Sequence, residues 1–188
     1  MNTFTISPEG WLSGAQIYPS LNFNARPEGM PVSLLVLHSI SLPPEVFGVE
    51  DVLALFQNRL EVDKDPYYEQ LKGLRVSSHF LLDRAGLIYQ CVSILDRAWH
   101  AGKSSFNGIT NCNDYSIGIE LNGSDHTGFT KAQYQNLARL TKVLQSYFPD
   151  IDATRVVGHA DIARPLGRKT DPGPHFDWDY YRKLLKEE

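Results

Sequence analysis

The segment 155–178, RVVGHADIARPLGRKTDPGPHFDW, constrains the fold most strongly. His159 ends a short apolar run, and Asp171 lies beyond a loop too rich in Pro and Gly to form one helix. The two residues therefore meet only if the loop folds back. Far upstream, His38 ends the apolar run 33–38, and two His with one carboxylate form a ligand set of catalytic zinc sites, with water as fourth ligand. The sequence thus indicates a metal site that tertiary folding must assemble.

Each candidate ligand also has an ordinary structural interpretation. A single histidine at the end of a strand is more often a hydrogen-bonded structural residue than a metal ligand. Asp171-Pro172-Gly173 is a common turn sequence, in which Asp opens the turn and Pro fixes the next φ. Spacing alone leaves both interpretations open.

Length, charge and cysteine content narrow the class of protein. At 188 residues and 21.2 kDa, the chain 1–188 is expected to form one domain around one core. A net charge of −4 with a pI near 5.8 argues against a general nucleic-acid surface. Cys91 and Cys112 exclude a disulfide scaffold and are expected to be buried free thiols. No run approaches the roughly 20 apolar residues of a membrane span and no signal-peptide pattern is present, so we expect a cytoplasmic protein.

The spacing of apolar residues predicts an α/β fold. Residues 1–31 are rich in Pro, Gly and Asn and are expected to form an extended arm packed on the body. The predicted strands are 34–38, 76–82, 87–92, 116–121 and 156–158, with a hairpin loop at 83–86. The predicted helices are 50–60, the segment from a capping box at 130–133 to Pro149, and 176–186 with Asp177 as N-cap. We therefore expect a central mixed β-sheet of about five or six strands, flanked by helices.

Glu120 lies in the segment 116–121, SIGIEL, whose apolar residues alternate with small or polar ones. The alternation places Glu120 near the end of a core strand, beside a glycine that leaves room next to it. A half-exposed surface strand often carries such a Glu, so this interpretation stays open. His38, Glu120 and His159 all fall at or just beyond predicted strand ends, where one cleft at one sheet edge could collect them.

Other aromatic and histidine residues give weaker signals. Tyr67 lies in the polar turn 63–68, where a tyrosine either faces a cleft or, more commonly, packs on the core. His79, inside a predicted strand, is expected to be a hydrogen-bonded structural residue. His100, in a predicted loop, is a candidate for lining the cleft, and no chemical role is assigned to it.

Five segments in order carry a family resemblance: HSISLPP, LRVSSHFLLDRAGLIYQCV, RAWHAG, CNDYSIGIELNG and GHADIA with RKTDPGPHFDW. Together they resemble the AmpD-type 1,6-anhydro-N-acetylmuramyl-L-alanine amidases, which belong to the zinc N-acetylmuramoyl-L-alanine amidase family. That family also includes phage lysozyme-type amidases and peptidoglycan recognition proteins. The resemblance extends over residues 10–178 and implies the mixed sheet with flanking helices that apolar spacing also predicts.

The resemblance implies a role for each matching position. It implies that His38, His159 and Asp171 bind one zinc ion. It implies that Glu120 is the catalytic acid/base and that Lys169 stabilises the oxyanion. It also implies that Tyr67 lies in the cleft and that substrate is contacted by Arg75, Trp99 and Ala101. Two positions depart from the family pattern. Ser39 stands where many relatives carry Asn, and the loop 164–168 is longer than usual.

The implied reaction is zinc-dependent hydrolysis of the lactyl–L-alanine amide of 1,6-anhydro-N-acetylmuramyl peptides in cytoplasmic peptidoglycan recycling. The implied partner is the anhydromuropeptide, and we expect a monomer that binds neither nucleic acid nor membrane. One alternative is a noncatalytic muropeptide-binding module, although such relatives typically lack a zinc ligand and this chain has all three. The other alternative is a broad-specificity cell-wall amidase, against which the missing signal peptide argues.

Overall fold

The structure is a computed structural model that describes residues 4–187, and apolar strands buried on both faces form its centre. The strands are β1 (Gln16–Ile17), β2 (Phe23–Asn24), β3 (Leu34–Ile40), β4 (Phe80–Leu82), β5 (Ile88–Gln90), β6 (Arg97–Ala98), β7 (Ser105–Phe106), β8 (Ile109–Thr110), β9 (Ser116–Asn122) and β10 (Val156–Gly158). The α-helices are α1 (Glu50–Phe56), α2 (Lys131–Tyr147), α3 (His159–Ile162) and α4 (Trp178–Lys186). Short 3-10 helices cover Val62–Lys64, Pro66–Leu71, Cys112–Asp114 and Ala153–Arg155.

Six strands form one mixed sheet in the order β1-β5-β4-β9-β3-β10. β4, β9, β3 and β10 run parallel to one another, while β5 is antiparallel to β4. Two further pairs, β2 with β6 and β7 with β8, are small antiparallel ribbons. The predicted fold class, a mixed sheet flanked by helices, is confirmed.

Layers on both faces of the sheet bury its strands. α2 and α4 cover one face, where the side chains of Ile117, Ile119 and Leu121 pack into the largest apolar cluster. α1, the segment 97–115 and α3 cover the other face. The alternation in β9 was therefore predicted correctly, but its second face is buried as well, as is typical of strands in a parallel sheet.

Local signals set most helix ends. The Thr130 hydroxyl accepts a hydrogen bond from the Gln133 backbone N–H at 3.1 Å, which confirms the capping box of α2. The Asp177 carboxylate caps α4 by accepting from the backbone N–H of Tyr180 at 2.8 Å. α1 ends at Phe56 rather than at residue 60, because Asn58 adopts a left-handed φ of 58°.

Strands and loops differ from the prediction in detail. β3 runs two residues past His38, whereas the hairpin strands β4 and β5 are shorter than predicted. The loop 83–86 is present and contains Gly86 at a φ of 82°. The predicted turn at 63–68 consists of parts of two 3-10 helices joined by the extended residue Asp65. Within residues 4–187, none of the helices combines the length and apolar character that a membrane span requires.

The sequence predicts that residues 1–31 form an extended arm packed on the body; residues 1–3 lie outside the described part. The arm contributes more to the fold than this packing. β1 adds an edge strand to the main sheet, beside β5. The side chain of buried Gln90, on β5, accepts from the Leu12 backbone N–H at 2.7 Å and donates to the Gly10 carbonyl at 2.8 Å. The arm therefore completes the hydrogen bonding of a sheet strand, which apolar spacing does not reveal.

We expect Gln90→Leu to lower the free energy of unfolding by about 1–3 kcal/mol, because the buried Leu12 N–H loses its partner and the Gly10 carbonyl keeps only the Ile94 N–H as donor. Urea denaturation followed by circular dichroism measures this change. Gln135→Leu, at an exposed position of α2, is the matched control and should stay within about 0.5 kcal/mol of the wild type. Equal stability of the two variants would show that the arm does not depend on Gln90.

Candidate metal centre

Strand register places three of the predicted site residues in one row. His38 on β3 is the direct partner of Glu120 on β9. On the other side of β3, Leu37 pairs with Gly158 of β10, so His159 follows directly beside His38. Because the carboxyl ends of parallel strands meet at the same edge of a sheet, the structure brings all three side chains together at one edge.

The segment after β10 carries His159 and returns Asp171 to it. His159 opens α3, a single helical turn closed by the Asp161 carboxylate, which accepts from the Gly158 backbone N–H at 2.7 Å. The Pro- and Gly-rich loop then folds back, and the Asp171 carbonyl accepts from the Ala160 N–H at 2.9 Å. The fold-back that the sequence required is therefore present, and its hydrogen bonds fix Asp171 beside His159.

The three candidate ligand atoms form a small triangle. His38 Nδ1 lies 3.1 Å from His159 Nδ1, and Asp171 Oδ2 lies 3.0 Å from each of these nitrogens. Ligands about 2.0–2.2 Å from a tetrahedral ion lie roughly 3.3–3.6 Å from one another. The triangle matches that size to within a few tenths of an ångström, so these residues fit a metal ion.

The outer nitrogens of both imidazoles have partners that orient the rings. His159 Nε2 lies 3.1 Å from the Ala101 carbonyl oxygen, and His38 Nε2 lies 2.9 Å from His100 Nδ1. A carbonyl only accepts, so His159 carries its proton on Nε2 and its Nδ1 lone pair faces the triangle. Burial lowers the pKa of His38 to about 4, which favours the neutral form needed for coordination. For Asp171, contacts with His159 and His38 outweigh burial and lower the pKa.

Glu120 is a buried carboxyl group beside the triangle. Only 9% of the residue is exposed, and Oε1 lies 3.9 Å from His38 Nδ1. Oε2 has no hydrogen-bond partner among residues 4–187. Burial and the negative charge of Asp171 raise the Glu120 pKa well above its ordinary value, although the Lys169 charge opposes them. This burial rules out the alternative of a Glu on a half-exposed surface strand.

A cavity of about 480 Å³ opens over the triangle. Its lining includes Glu120, Tyr67, Ser39 and Lys169. The Lys169 side chain is exposed to the cavity and acts electrostatically on both Glu120 and His38. The predicted acid/base, the predicted oxyanion-stabilising residue and one predicted cleft tyrosine therefore line the same opening as the three ligands.

Three predicted substrate-contact residues have other positions. Arg75 lines a neighbouring cavity of about 230 Å³ that shares apolar walls with the main one. Trp99 donates from Nε1 to the Asn24 side chain at 2.7 Å and is not part of the cavity lining. Ala101 is fully buried, and its carbonyl accepts from His159. None of the three residues is among those that line the main cavity, and Arg75 lines the neighbouring one.

The loop 164–168 is attached to the segment 101–103. The Arg164 backbone N–H donates to the Lys103 carbonyl at 2.9 Å. The Arg168 guanidinium donates to the same carbonyl at 2.8 Å and to the Ala101 carbonyl at 3.3 Å. These bonds fix the end of the loop immediately before Lys169.

Sequence reasoning gave His100 no chemical role, yet the structure buries its ring directly behind His38. The sequence signal for this contact is Gly118, because a glycine inside a core strand often marks a place where another group lies close to the backbone. A Cβ atom at Gly118 would lie 2.5 Å from His100 Cγ. His79 is structural as predicted: its Nδ1 accepts from the Gly118 N–H at 3.0 Å, and burial lowers its pKa to about 3.

Comparison with known proteins places these observations in a family context. The Amidase_2 family, described as N-acetylmuramoyl-L-alanine amidase, matches residues 28–174. The 1,6-anhydro-N-acetylmuramyl-L-alanine amidase AmpD of Escherichia coli (strain K12) is 47% identical over 180 residues, covering 96% of this chain and 97% of that protein. A crystal structure of a selenomethionine AmpD derivative matches with a TM-score of 0.91 at 47% identity, over 96% of this chain and 99% of that one.

A second similar structure contains a bound molecule. It is a complex of the N-acetylmuramyl-L-alanine amidase AmiD from E. coli with the substrate anhydro-N-acetylmuramic acid-L-Ala-D-γ-Glu-L-Lys. That structure matches with a TM-score of 0.59 at 29% identity, over 95% of this chain and 65% of its own.

We expect the wild-type chain to bind one divalent metal ion and His159→Ala to lose it, because two of the three ligand atoms do not suffice for tight coordination. Equilibrium dialysis of metal-stripped protein against Zn²⁺, followed by elemental analysis, measures the bound ion. His175→Ala, which removes an exposed histidine, should retain the metal. Retention of the ion by His159→Ala would place the metal site elsewhere.

Proposed function

The chain belongs to the N-acetylmuramoyl-L-alanine amidase family, and we propose that it hydrolyses the amide between the lactyl group of 1,6-anhydro-N-acetylmuramic acid and the L-alanine of the attached peptide. The single observation that carries this proposal is the complete ligand triangle of His38, His159 and Asp171, with the buried Glu120 carboxyl 3.9 Å from His38. A module that only binds muropeptides has no need for both features.

The metal in this proposal is one zinc ion per chain. Two neutral imidazoles and one carboxylate form a donor set typical of catalytic zinc sites. When bound, zinc lowers the pKa of a coordinated water to about 7 and polarises the substrate carbonyl. The donor atoms of His38, His159 and Asp171 support this assignment through their type and their spacing.

The protein side chains supply proton transfer and charge stabilisation. Glu120 accepts a proton from the attacking water and returns it to the amide nitrogen as the C–N bond breaks. The products are the lactyl carboxylate and the free amino group of the peptide. Lys169 donates a hydrogen bond to the oxygen of the carbonyl group, on which negative charge develops during attack. Burial favours this role for Glu120, because a raised pKa makes its carboxylate a stronger proton acceptor.

The substrate, location and assembly state follow from the same proposal. The substrate is an anhydromuropeptide, the class of molecule bound in the AmiD complex, and Tyr67 and Arg75 are the proposed contacts outside the catalytic residues. One chain supplies every residue of the site, so we assign a monomer. We assign the cytoplasm, since the buried free thiols Cys91 and Cys112 suit a reducing compartment. The net charge of −4 gives no support for nucleic acid as a partner.

We expect zinc-loaded protein to release the free tripeptide from an anhydromuramyl-tripeptide, and to release it much more slowly from the matched non-anhydro muramyl-tripeptide. Mass spectrometry of both reactions, run in parallel, measures the released peptide. Comparable release from the two compounds would indicate a broad-specificity amidase. Release from neither compound by zinc-replete protein would indicate a binding module.

We expect Glu120→Gln to retain the metal and to lose turnover by about 10²–10⁴-fold, because the amide cannot accept a proton from water. Steady-state kinetics and elemental analysis on the same preparation separate the two effects. Glu28→Gln, at an exposed position, is the matched control and should leave both unchanged. Near-normal turnover of Glu120→Gln would contradict the proton-transfer role.

A further inference from the structure

The buried His100 side chain connects a metal ligand to the interior of the sheet. Its Nδ1 lies 2.9 Å from His38 Nε2, and its Nε2 lies 3.1 Å from the Ser116 hydroxyl oxygen. The His38 and His100 rings meet edge to face, with centroids 5.0 Å apart and planes inclined by 88°. A distance of 2.9 Å between two ring nitrogens is within hydrogen-bond range, so the two imidazoles form a hydrogen-bonded pair.

The direction of each proton in this pair follows from the ligand role of His38. Because His38 Nδ1 faces the metal triangle, the His38 proton is on Nε2 and is donated to His100 Nδ1. His100 must then carry its own proton on Nε2, where the Ser116 hydroxyl oxygen accepts it. Both rings are therefore held as Nε2–H tautomers by a chain of hydrogen bonds that begins at β9.

The backbone beside His100 supports the second histidine ligand. The Asn113 side-chain oxygen accepts hydrogen bonds from the backbone N–H groups of His100 at 3.0 Å and Ala101 at 2.8 Å. The Ala101 carbonyl in turn accepts from His159 Nε2 at 3.1 Å. The dipeptide His100-Ala101 thus contacts the outer nitrogens of both candidate histidine ligands: the His100 side chain contacts His38, and the Ala101 carbonyl contacts His159.

Gly118 provides the space that this arrangement requires. A Cβ atom on Gly118 would approach the His100 ring carbons and Nδ1 to 2.5–2.7 Å, far inside van der Waals contact. Gly118 lies on the same strand as Ser116 and Glu120 and faces the same side of the sheet. The strand therefore combines a hydrogen-bond acceptor for His100 with the space for its ring.

We propose that His100 is a positioning residue for the metal site: it accepts the outer proton of His38 and so directs the His38 Nδ1 lone pair to the metal. This inference deepens the proposed function and rests on its metal assignment. Partners of this kind typically account for 10- to 100-fold in metal affinity. In this proposal His100 acts through its contact with His38 and does not itself bind the metal.

The test compares His100→Leu, which keeps bulk but cannot accept a proton, with His100→Asn, whose side-chain oxygen replaces Nδ1 as an acceptor. We expect the zinc dissociation constant, measured by competition with a chromophoric chelator, to rise by about 10–100-fold in His100→Leu. His100→Asn should recover most of that loss. His175→Ala is the control for removal of an exposed histidine. Circular dichroism of the metal-free proteins checks that each variant is folded.

The outcomes separate this inference from the proposed function. Wild-type protein that binds no zinc would overturn the metal assignment, and the inference with it. Wild-type protein that binds zinc and hydrolyses substrate, while His100→Leu binds zinc equally well, would overturn the inference alone. An equal loss of affinity in His100→Leu and His100→Asn would also overturn it, because the acceptor atom would then not matter.

Two further measurements cover the case in which His100→Leu does not fold. Ser116→Ala deletes only the acceptor for His100 Nε2–H and should raise the zinc dissociation constant, though by less than loss of the ring. An unchanged dissociation constant would contradict the hydrogen-bond chain from Ser116 through His100 to His38. Two-bond ¹H–¹⁵N spectra of zinc-loaded wild-type protein should show His38 and His100 as Nε2–H tautomers. A His100 protonated on Nδ1 would overturn the inference regardless of any variant.

Discussion

The site depends on the parallel pairing of β3 with β9 on one side and β10 on the other. This register places His38 between Glu120 and His159 in one row across the sheet. A slip of one residue would turn the side chains of a strand to the opposite face and separate the group. Apolar residues fix the register, since Leu34 to Leu37 are fully buried and each such side chain contributes about 1.5–3 kcal/mol. The chemistry at the sheet edge thus relies on packing further down the same strands.

Charge balance is the second constraint on this region. Asp171 and Glu120 place two carboxyl groups near each other, and their surroundings lower the pKa of Asp171 and raise that of Glu120. Lys169 opposes the rise of the Glu120 pKa, and in the proposed metal-bound state a divalent cation would add further positive charge beside both carboxyl groups. On the opposite side of β9, the half-buried Arg26 donates to backbone carbonyls of Asn113, Asp114, Ile94 and Ser116, and desolvation lowers its pKa to about 10. The N-terminal arm thereby holds the start of β9, the strand that carries Glu120.

The sequence predicted the parts of the fold that local pattern determines. Strand alternation placed Glu120 on one face of β9, and the capping box placed the start of α2, because both signals lie within a few residues. Residue types already suggested His38, His159 and Asp171 as ligands, but spacing alone left the structural interpretations open, because His38 and His159 are 121 positions apart. The edge strand β1 and the contact of His100 with His38 were missed, because each depends on partners that only the folded chain brings close. Gly118 was the local sequence signal for the space that the His100 ring occupies.

The segment 100–103 joins the two halves of the site. His100 and the Ala101 carbonyl contact the outer nitrogens of the two histidine ligands, and the Lys103 carbonyl holds the loop that precedes Lys169. An irregular loop is suited to carry Lys169 and Asp171, because it reaches back over the sheet edge as a helix cannot. Its position then depends on where it is attached. Since one short segment contacts both candidate histidine ligands and this loop, we expect a displacement of that segment to alter the proposed metal site and the position of Lys169 together.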